Sequence, residues 1–498
     1  MKPTDNIYQL IKSLSGSEKR YFKVFSKRHV INGANKYEKL FDIYDSLPDT
    51  GYDEAELKKQ LKKGFSKNLA DDKKNLQEMI MKAMLSFHSG NSVDNQLNDL
   101  LAEEDFYRQK RLNDLRRKTI AKAKDLAAKY ERYTVLLALI DREIRFKTEM
   151  NPDELIEFAK TFEKEKRLVL EKIHTASILR SINSWFLINF RVNPGNATKS
   201  FWNEAEARLN DPVMKLYKAG LSYTCDVNYY KIWAIYFRMK KDHIKHNDYT
   251  RMVYECYERY PLQKINDRSA YKIALYNYVA SLFAIYDYDN MRKMLDHAAS
   301  IEALNEDEAG EDFQNITFYR QMYYTNTWQY AEAVKMANEI NEGIKKYRTK
   351  VNKARELAMY NNIAIAYLMI ENWDDMLTYT EKILMDKTDV RLDIKYRSML
   401  YQLIAHYEMN NHEMLLYLLR NTERLLKKRE AFHQLEESLI KVLDKLLKHG
   451  KDYFRTREAE AKKMASNLLA RDELNLWFRS HCTRIPISVL AKDGERQV

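Results

Sequence analysis

The chain has 498 residues, too many for one hydrophobic core, so several domains or one long array are expected. It holds 11 Gly and 7 Pro, against roughly 35 and roughly 25 at average usage, which disfavours glycine-rich phosphate loops and predicts few turns with positive φ. The net charge is +12 and is concentrated at the ends: residues 1–130 hold 26 Lys and Arg against 19 Asp and Glu, and residues 420–498 hold 18 against 12.

The aromatic content excludes a disordered chain, because 35 Tyr, 19 Phe and 6 Trp supply enough apolar surface to form a core. Three scattered cysteines are too few for a disulfide framework or a zinc site, which suits a reducing compartment. The N-terminus lacks an apolar signal region, and the longest apolar stretches are far shorter than a membrane span of ~20 residues. We therefore expect a cytoplasmic protein without a membrane segment.

Residues 1–90 have the pattern of a small N-terminal helical domain. Apolar residues recur at helical spacing along 7–14, 21–25, 37–44 and 76–87. Ser15 and Glu18 have the spacing of a capping box, so a helix is expected to begin after Ser15. A short basic helix is expected over 53–63, and the segment 89–95, "SGNSVDN", is the clearest linker.

From residue 96 to residue 450 the pattern becomes a series of paired helices, separated by polar breaks or single prolines. We expect an all-α helical-repeat array over 96–450, and a C-terminal helix and tail over 451–498. The acidic stretch 302–312 lacks the spacing of a calcium loop and is expected to be solvated.

Residues 360–384 form one unit of this series, in two amphipathic halves divided by a polar break at Glu371 and Asn372. The first half has its periodic residues at Tyr360, Ile363, Ala364 and Tyr367. The second half begins at Trp373, which is expected to pack the second helix on the first, and continues with Met376. This unit resembles the tetratricopeptide repeat, although the family's small Ala in the second helix is replaced by Met376.

Weaker copies of the unit place Leu282, Tyr324, Tyr367 and Tyr407 at equivalent positions, 42, 43 and 40 residues apart, whereas the family repeats every 34. The resemblance implies a helical-hairpin α-solenoid. The stretch "LIKSLSGSEKRYFKVF" near the N-terminus is also similar to the opening of a group of bacterial helical-repeat proteins of about this length, common in the Bacteroidota, which has no assigned activity.

Catalytic and cofactor motifs are scarce, since the sequence has no G-x-G-x-x-G, P-loop, H-E-x-x-H or C-x-x-C. His243 and His246 have a metal-compatible spacing but are expected to lie on a solvated helix end, and His481 beside Cys482 gives no catalytic geometry by adjacency alone. The carboxylates at 103–105 are expected to face solvent. We predict a non-enzymatic protein with no cofactor and no metal.

Twenty-six of the 35 Tyr lie between residues 217 and 417. In a repeat of this type, the positions of the first helices that do not pack between units face inward. The inward residues predicted to bind a partner are Tyr276, Phe283, Phe318, Met322, Asn361, Ile365, Leu368 and Tyr401. This aromatic and Met-rich set suits an amphipathic helix or an extended peptide, although a tightly wound array would bury it instead.

Two functions fit these patterns. The first is a scaffold or adaptor that binds a protein or peptide on the concave face of the array. The alternative is a regulator whose N-terminal domain binds nucleic acid through a helix-turn-helix-like segment, with Lys73, Lys74 and Lys82 beside the apolar stripe of their helix.

Overall fold

The structure is a computed structural model. It describes residues 6–28, 36–47, 69–88, 92–144, 152–192, 198–428, 434–449 and 473–493. All regular structure within these ranges is α-helical and none of it is strand, which confirms the predicted all-α class. The short helix predicted over 53–63 and much of the predicted tail lie outside the described residues.

The chain divides into two compact units. The first comprises 1–178 with 218–225, and the second comprises 179–217 with 226–498. The predicted domain boundaries at residues 90 and 450 stay predictions.

The described residues of the first unit form eight helices, the last of which continues into the second unit. They are α1 (Asn6–Ser13), α2 (Gly16–Arg28), α3 (Lys36–Ser46), α4 (Leu69–Phe87), α5 (Val93–Gln109), α6 (Asn113–Lys129), α7 (Tyr133–Glu143) and α8 (Pro152–Val192). Helices α1 to α4 enclose one core and α5 to α8 another, so the apolar periodicity of the sequence is used in both.

The predicted capping box at the start of α2 is confirmed. The Ser15 backbone N–H donates to Glu18 Oε2 at 2.7 Å, and the Glu18 N–H donates to Ser15 Oγ at 3.3 Å. The hydrogen bond from the Ser15 backbone is the main reason that the pKa of Glu18 is lowered. Two side chains three residues apart therefore satisfy the first free N–H groups of this helix.

The second unit holds the remaining helices. They are α9 (Lys199–Leu209), α10 (Pro212–Leu216), α11 (Tyr223–Met239), α12 (His243–Arg259), α13 (Pro261–Asn266), α14 (Arg268–Ala284), α15 (Tyr288–Ala299), α16 (Glu306–Asn326), α17 (Tyr330–Lys346), α18 (Lys353–Met369), α19 (Trp373–Leu384), α20 (Leu392–Glu408), α21 (His412–Lys428), α22 (Gln434–His449), α23 (Glu473–Thr483) and α24 (Ile487–Asp493). The first turn of α11 belongs to the first unit.

Helices α14 to α21 form four consecutive hairpins. In each hairpin the two helices pack on each other, and each second helix also contacts the first helix of the next hairpin. The first helices contact one another as well, α14 with α16, α16 with α18 and α18 with α20, and α20 contacts α22 in the same way. Trp373 is half-buried against the core and Met376 is fully buried, as packing of α19 on α18 requires.

Seven helix–helix connections share one three-residue turn whose middle residue has positive φ. These residues are Arg111, Glu131, Lys241, Tyr286, Trp328, Glu371 and Asn410, with φ between 54° and 61°. In every case the next N–H bonds to the carbonyl five residues earlier, at 2.8–3.0 Å, as Asp287 does to Leu282. This is the Schellman arrangement, which satisfies the carbonyl groups left free at the end of a helix.

The expectation of few positive-φ turns is wrong, because these turns do not use glycine. A left-handed conformation costs an ordinary residue about 1–2 kcal/mol, and here the turn's hydrogen bonds offset it. In four turns the next residue also caps the following helix: Asp242, Asp287, Asn372 and Asn411 each accept a backbone N–H three residues on. A single residue thus closes one helix with its backbone N–H and opens the next with its side chain.

Glycine substitutions at two adjacent turn residues should have opposite effects. Arg111 has φ 56° whereas Lys110 is right-handed, with φ −87°, and both are exposed. Arg111→Gly relieves strain and is expected to change the free energy of unfolding by about 0 to +1 kcal/mol, while Lys110→Gly should lose about 1 kcal/mol. Urea titrations of both variants check this, and an equal loss at both positions would contradict the turn assignment.

Candidate functional site

The predicted partner-binding residues all lie on the first helices α14, α16, α18 and α20, but their exposure differs. Phe283, Phe318, Met322, Asn361 and Ile365 are half-buried. Tyr276, Leu368 and Tyr401 are buried, with Tyr401 wholly inaccessible. For these three residues the prediction of a surface role needs correction, because each is covered by other parts of the same chain.

Tyr276 is buried between α14 and α16, where it belongs to a polar network. Its hydroxyl donates to Asp312 Oδ1 at 2.6 Å, and Lys272 Nζ lies 2.6 Å from Asp312 Oδ2. Lys272 also lies 2.6 Å from Glu308, which Arg268 contacts at 2.7 Å. Charges in such a site are tolerated because each is paired and hydrogen-bonded, so the network ties two adjacent hairpins together.

The array should be destabilised by acid through Glu308. Burial alone would raise the pKa of Glu308, but hydrogen bonds from Lys272, the Leu304 N–H and Arg268 outweigh it and lower the pKa to about 2. The resulting stabilisation is complete above about pH 4.5 and is lost as the pH falls towards 2. The stability difference between wild type and Glu308→Gln should therefore shrink over this range. A difference that is constant with pH, measured by urea unfolding, would contradict the pairing.

Tyr401 is covered by the C-terminal helix α23. Its hydroxyl donates to Glu473, and Arg397 Nε donates to the same carboxylate oxygen at 3.0 Å. Burial and the nearby Glu473 charge raise the pKa of Tyr401 well above its usual value, so the hydroxyl remains a donor. The first residue of α23 is thus anchored to one face of α20.

Further along, Glu408 binds two side chains of α23. It accepts the Trp477 indole N–H at 2.7 Å, and His481 Nε2 lies 2.5 Å from the same oxygen. Trp477 is fully buried, with its ring 6.0 Å from that of Tyr407. Because Glu473 pairs near residues 397–401 and His481 near 408, α23 runs parallel to α20.

The apolar side of α23 joins the same core as α18 and α20. Its buried residues are Leu474, Leu476, Trp477 and Phe478. Helix α23 also contacts α18, and the Ile487 N–H at the start of α24 donates to Glu371 Oε1 at 3.3 Å. The first-helix face that the sequence predicts to bind an amphipathic helix therefore holds one from the same chain.

A half-exposed patch on α16 and α18 continues this face. It consists of Phe318, Tyr319, Met322, Asn361 and Ile365 together with Arg355, whose guanidinium lies 4.0 Å from the ring centre of Phe318 and 5.5 Å from that of Tyr319. We call these six residues the aromatic patch.

Unpartnered amide atoms lie in and beside this patch. Gln321 donates to the Met359 carbonyl at 3.2 Å, but its buried Oε1 has no hydrogen-bond partner within the described ranges. The same holds for Oδ1 of Asn361. Both oxygens are buried and so do not face a partner, whereas the aromatic rings with one cation suit a peptide that presents apolar groups and a carboxylate.

The sequence-level candidates for chemistry are structural. His246 Nδ1 lies 2.9 Å from the Ala234 carbonyl, and burial lowers its pKa, so it is a neutral core histidine. His481 contacts Glu408, while nothing is described of the Cys482 side chain. Among the described residues no group of three or more His, Cys, Asp and Glu could hold a metal ion.

Glu104 does not face solvent as predicted for residues 103–105. It is 1% exposed and lies between two arginines: Arg116 Nε is 2.5 Å from Oε1, and Arg142 contacts Oε2. Asp105 is half-buried, pairs with Arg108 at 2.9 Å and lies 3.4 Å from Arg142. The charged stretch therefore contributes a buried ion cluster that joins α5, α6 and α7.

The three lysines of the alternative function lie on α4. Lys74 and Lys82 are exposed, whereas Lys73 is half-buried with its amino group 6.0 Å from the ring centre of Tyr44. Glu78 lies one turn from both exposed lysines. The exposed side of α4 therefore alternates in charge.

Comparisons with known proteins give no further indication of function. No protein-family model matches the chain, and neither the curated proteins nor the solved structures contain a significant match. None of the described helices combines the length and the apolar character needed to cross a membrane.

Proposed function

We propose that this protein is a non-enzymatic scaffold or adaptor that binds a protein or peptide on the face formed by its first helices. The observation that carries the proposal is the docking of α23 along α20, through Glu473, Trp477 and His481. It is the helix-in-groove mode, in which an amphipathic helix places residues four apart against a helical surface.

The array itself is proposed to be a solenoid of the tetratricopeptide type, with these first helices on its concave side. Support comes from the repeated three-residue turn at 286, 328, 371 and 410, and from the contacts between successive first helices. Stacks of such hairpins present an extended inner surface, which repeat proteins use for binding.

The aromatic patch is the part of this face proposed to receive the partner. Its rings and Met322 offer adaptable apolar area, and Arg355 offers a positive charge. We therefore expect a segment with apolar and acidic side chains, and a site that performs recognition rather than chemistry.

Selection from a displayed peptide library on the full-length protein tests this function. We expect binders with apolar and acidic residues, whose binding falls at least tenfold in Met322→Asp and in Arg355→Glu. Tyr417→Asp is the matched control, because Tyr417 is an exposed aromatic residue on the second helix α21. Binders that are unaffected by both patch substitutions, or none at all, would reject the proposed face.

The nucleic-acid alternative has one supporting observation, the exposure of Lys74 and Lys82 on a single helix. Since Glu78 lies between them, we predict that the full-length protein does not bind random duplex DNA at ~50 mM salt, where electrostatic attraction is strongest. A gel-shift titration checks this. Binding that weakens steeply with salt and disappears in Lys74→Glu/Lys82→Glu would make the regulator the better function.

A further inference from the structure

Residues 450–472, which lie outside the described residues, separate α23 from α22 in the sequence. A chain of this length can span about 80 Å when extended. Its docking face on α20 mixes apolar contacts with three polar side chains, Arg397, Tyr401 and Glu408, and water could hydrate these if α23 departed. Polar groups among apolar contacts are also found at interfaces between separate partners.

We propose that α23 is a ligand held in cis, and that the partner competes for its place with a helix of the same chemistry. That helix presents an acidic residue towards Arg397 and Tyr401, an aromatic N–H donor four residues later towards Glu408, and a further donor four residues after that. The inference rests on the proposed function in one respect, the use of the first-helix face for docking.

The pattern of α23 is visible in its sequence as Glu473, Trp477 and His481, each four residues after the last. Residues so spaced lie on one side of a helix, and the structure shows all three against α20. Glu473 places a negative charge beside Arg397, while Glu408 accepts a hydrogen bond from Trp477 and contacts His481. A competing helix with the opposite charge order would place carboxylate against carboxylate and be rejected.

Because α23 belongs to the same chain as its site, its effect on the affinity of a free helix can be estimated. Linkage in one chain makes binding of α23 intramolecular, with an effective concentration on the order of mM. A free helix therefore meets a site that is mostly occupied, and its apparent Kd is raised by the inverse of the unoccupied fraction. Weakening the cis helix should restore the intrinsic affinity.

The test uses a fluorescent synthetic peptide of residues 471–493 and the full-length protein, followed by fluorescence anisotropy. We expect the apparent Kd to be at least tenfold lower for Trp477→Ala than for wild type. Tyr417→Ala, at an exposed aromatic residue on the second helix α21, is the matched control and should behave as wild type. Adding Arg397→Glu to Trp477→Ala should abolish binding, and a peptide carrying Glu473→Arg should restore it.

Amide hydrogen exchange on the wild-type protein gives an answer even if the variants fold poorly. We expect residues 474–483 to exchange at least tenfold faster than residues 394–407, because α23 can detach while α20 stays folded. Equal exchange rates, or equal peptide affinity of folded wild type and Trp477→Ala, would show that α23 is a fixed part of the core.

A dimer that dissociates in Trp477→Ala would show exchange of α23 between copies, and would also overturn the proposal of a foreign partner. The library selection reports on Met322 and Arg355, whereas the peptide titration reports on Arg397 and Glu408. Failure of this inference is therefore distinguishable from failure of the proposed function.

Discussion

Replacing Glu104 with alanine is expected to destabilise the first unit by about 3–5 kcal/mol. The substitution removes the carboxylate that lies 2.5 Å from the buried Arg116 and leaves the half-buried Arg142 with a longer contact of 3.4 Å to Asp105, so two arginines lose their shared buried counter-charge. Desolvated charges without a counter-charge are the most unfavourable groups a core can contain. Urea unfolding by circular dichroism measures the loss, and hydrogen exchange over residues 93–143 locates it.

The neighbouring carboxylate provides the control. Asp105→Ala removes a solvent-accessible ion pair with Arg108 and a longer contact of 3.4 Å with Arg142, and should change stability by about 0–1 kcal/mol. The loss of unfolding free energy would then differ severalfold between two adjacent carboxylates because one is more deeply buried than the other. Similar losses for both variants would mean that Glu104 is not desolvated as described.

Gly343→Val is expected to destabilise the second hairpin of the array by about 2–4 kcal/mol, near the upper end for overpacked sites. A Cβ atom at Gly343 would lie 2.1 Å from Cε2 of Phe313 and 2.2 Å from its Cζ, so the ring of α16 occupies the space of the missing side chain. Gly343→Ala would gain about 1 kcal/mol of helix propensity but should still be destabilising, because the ring must move.

A second substitution separates the steric effect from helix propensity. In a Phe313→Ala background the space is free, so Gly343→Ala should become stabilising, and the double-mutant cycle should give a coupling of about 1–3 kcal/mol. Gly16→Ala in α2, where nothing lies within 4 Å, should be neutral or stabilising. Additive effects at 313 and 343 would contradict the close approach of α16 and α17.

Local patterns in the sequence predicted the helices because periodicity and capping act over three to five residues. The Ser15–Glu18 capping box and the all-α class are confirmed on that basis. The turns were mispredicted because composition does not reveal that residues such as Trp328 and Glu371 take the left-handed conformation when a Schellman turn stabilises them. The number of glycines is a poor guide to the number of positive-φ turns where hydrogen bonds offset the backbone strain.

Long-range packing accounts for the other differences. Glu104 looks like its charged neighbours until α6 and α7 bring Arg116 and Arg142 to it. Tyr401 has the periodicity of an inner-face residue, but α23 comes from more than 70 residues further along the chain and covers it. The spacing of Glu473, Trp477 and His481 was available in the sequence, whereas its target on α20 was not.

The three-residue turns also determine where this chain can change length. Each of the four array hairpins keeps the same connection between its two helices, since one residue more or fewer would break the bond that ends one helix or the cap that begins the next. The connections between hairpins are longer, with six residues at 300–305, six at 347–352 and seven at 385–391. Insertions during evolution, or a reporter added by design, should therefore be accepted between hairpins and rejected within them.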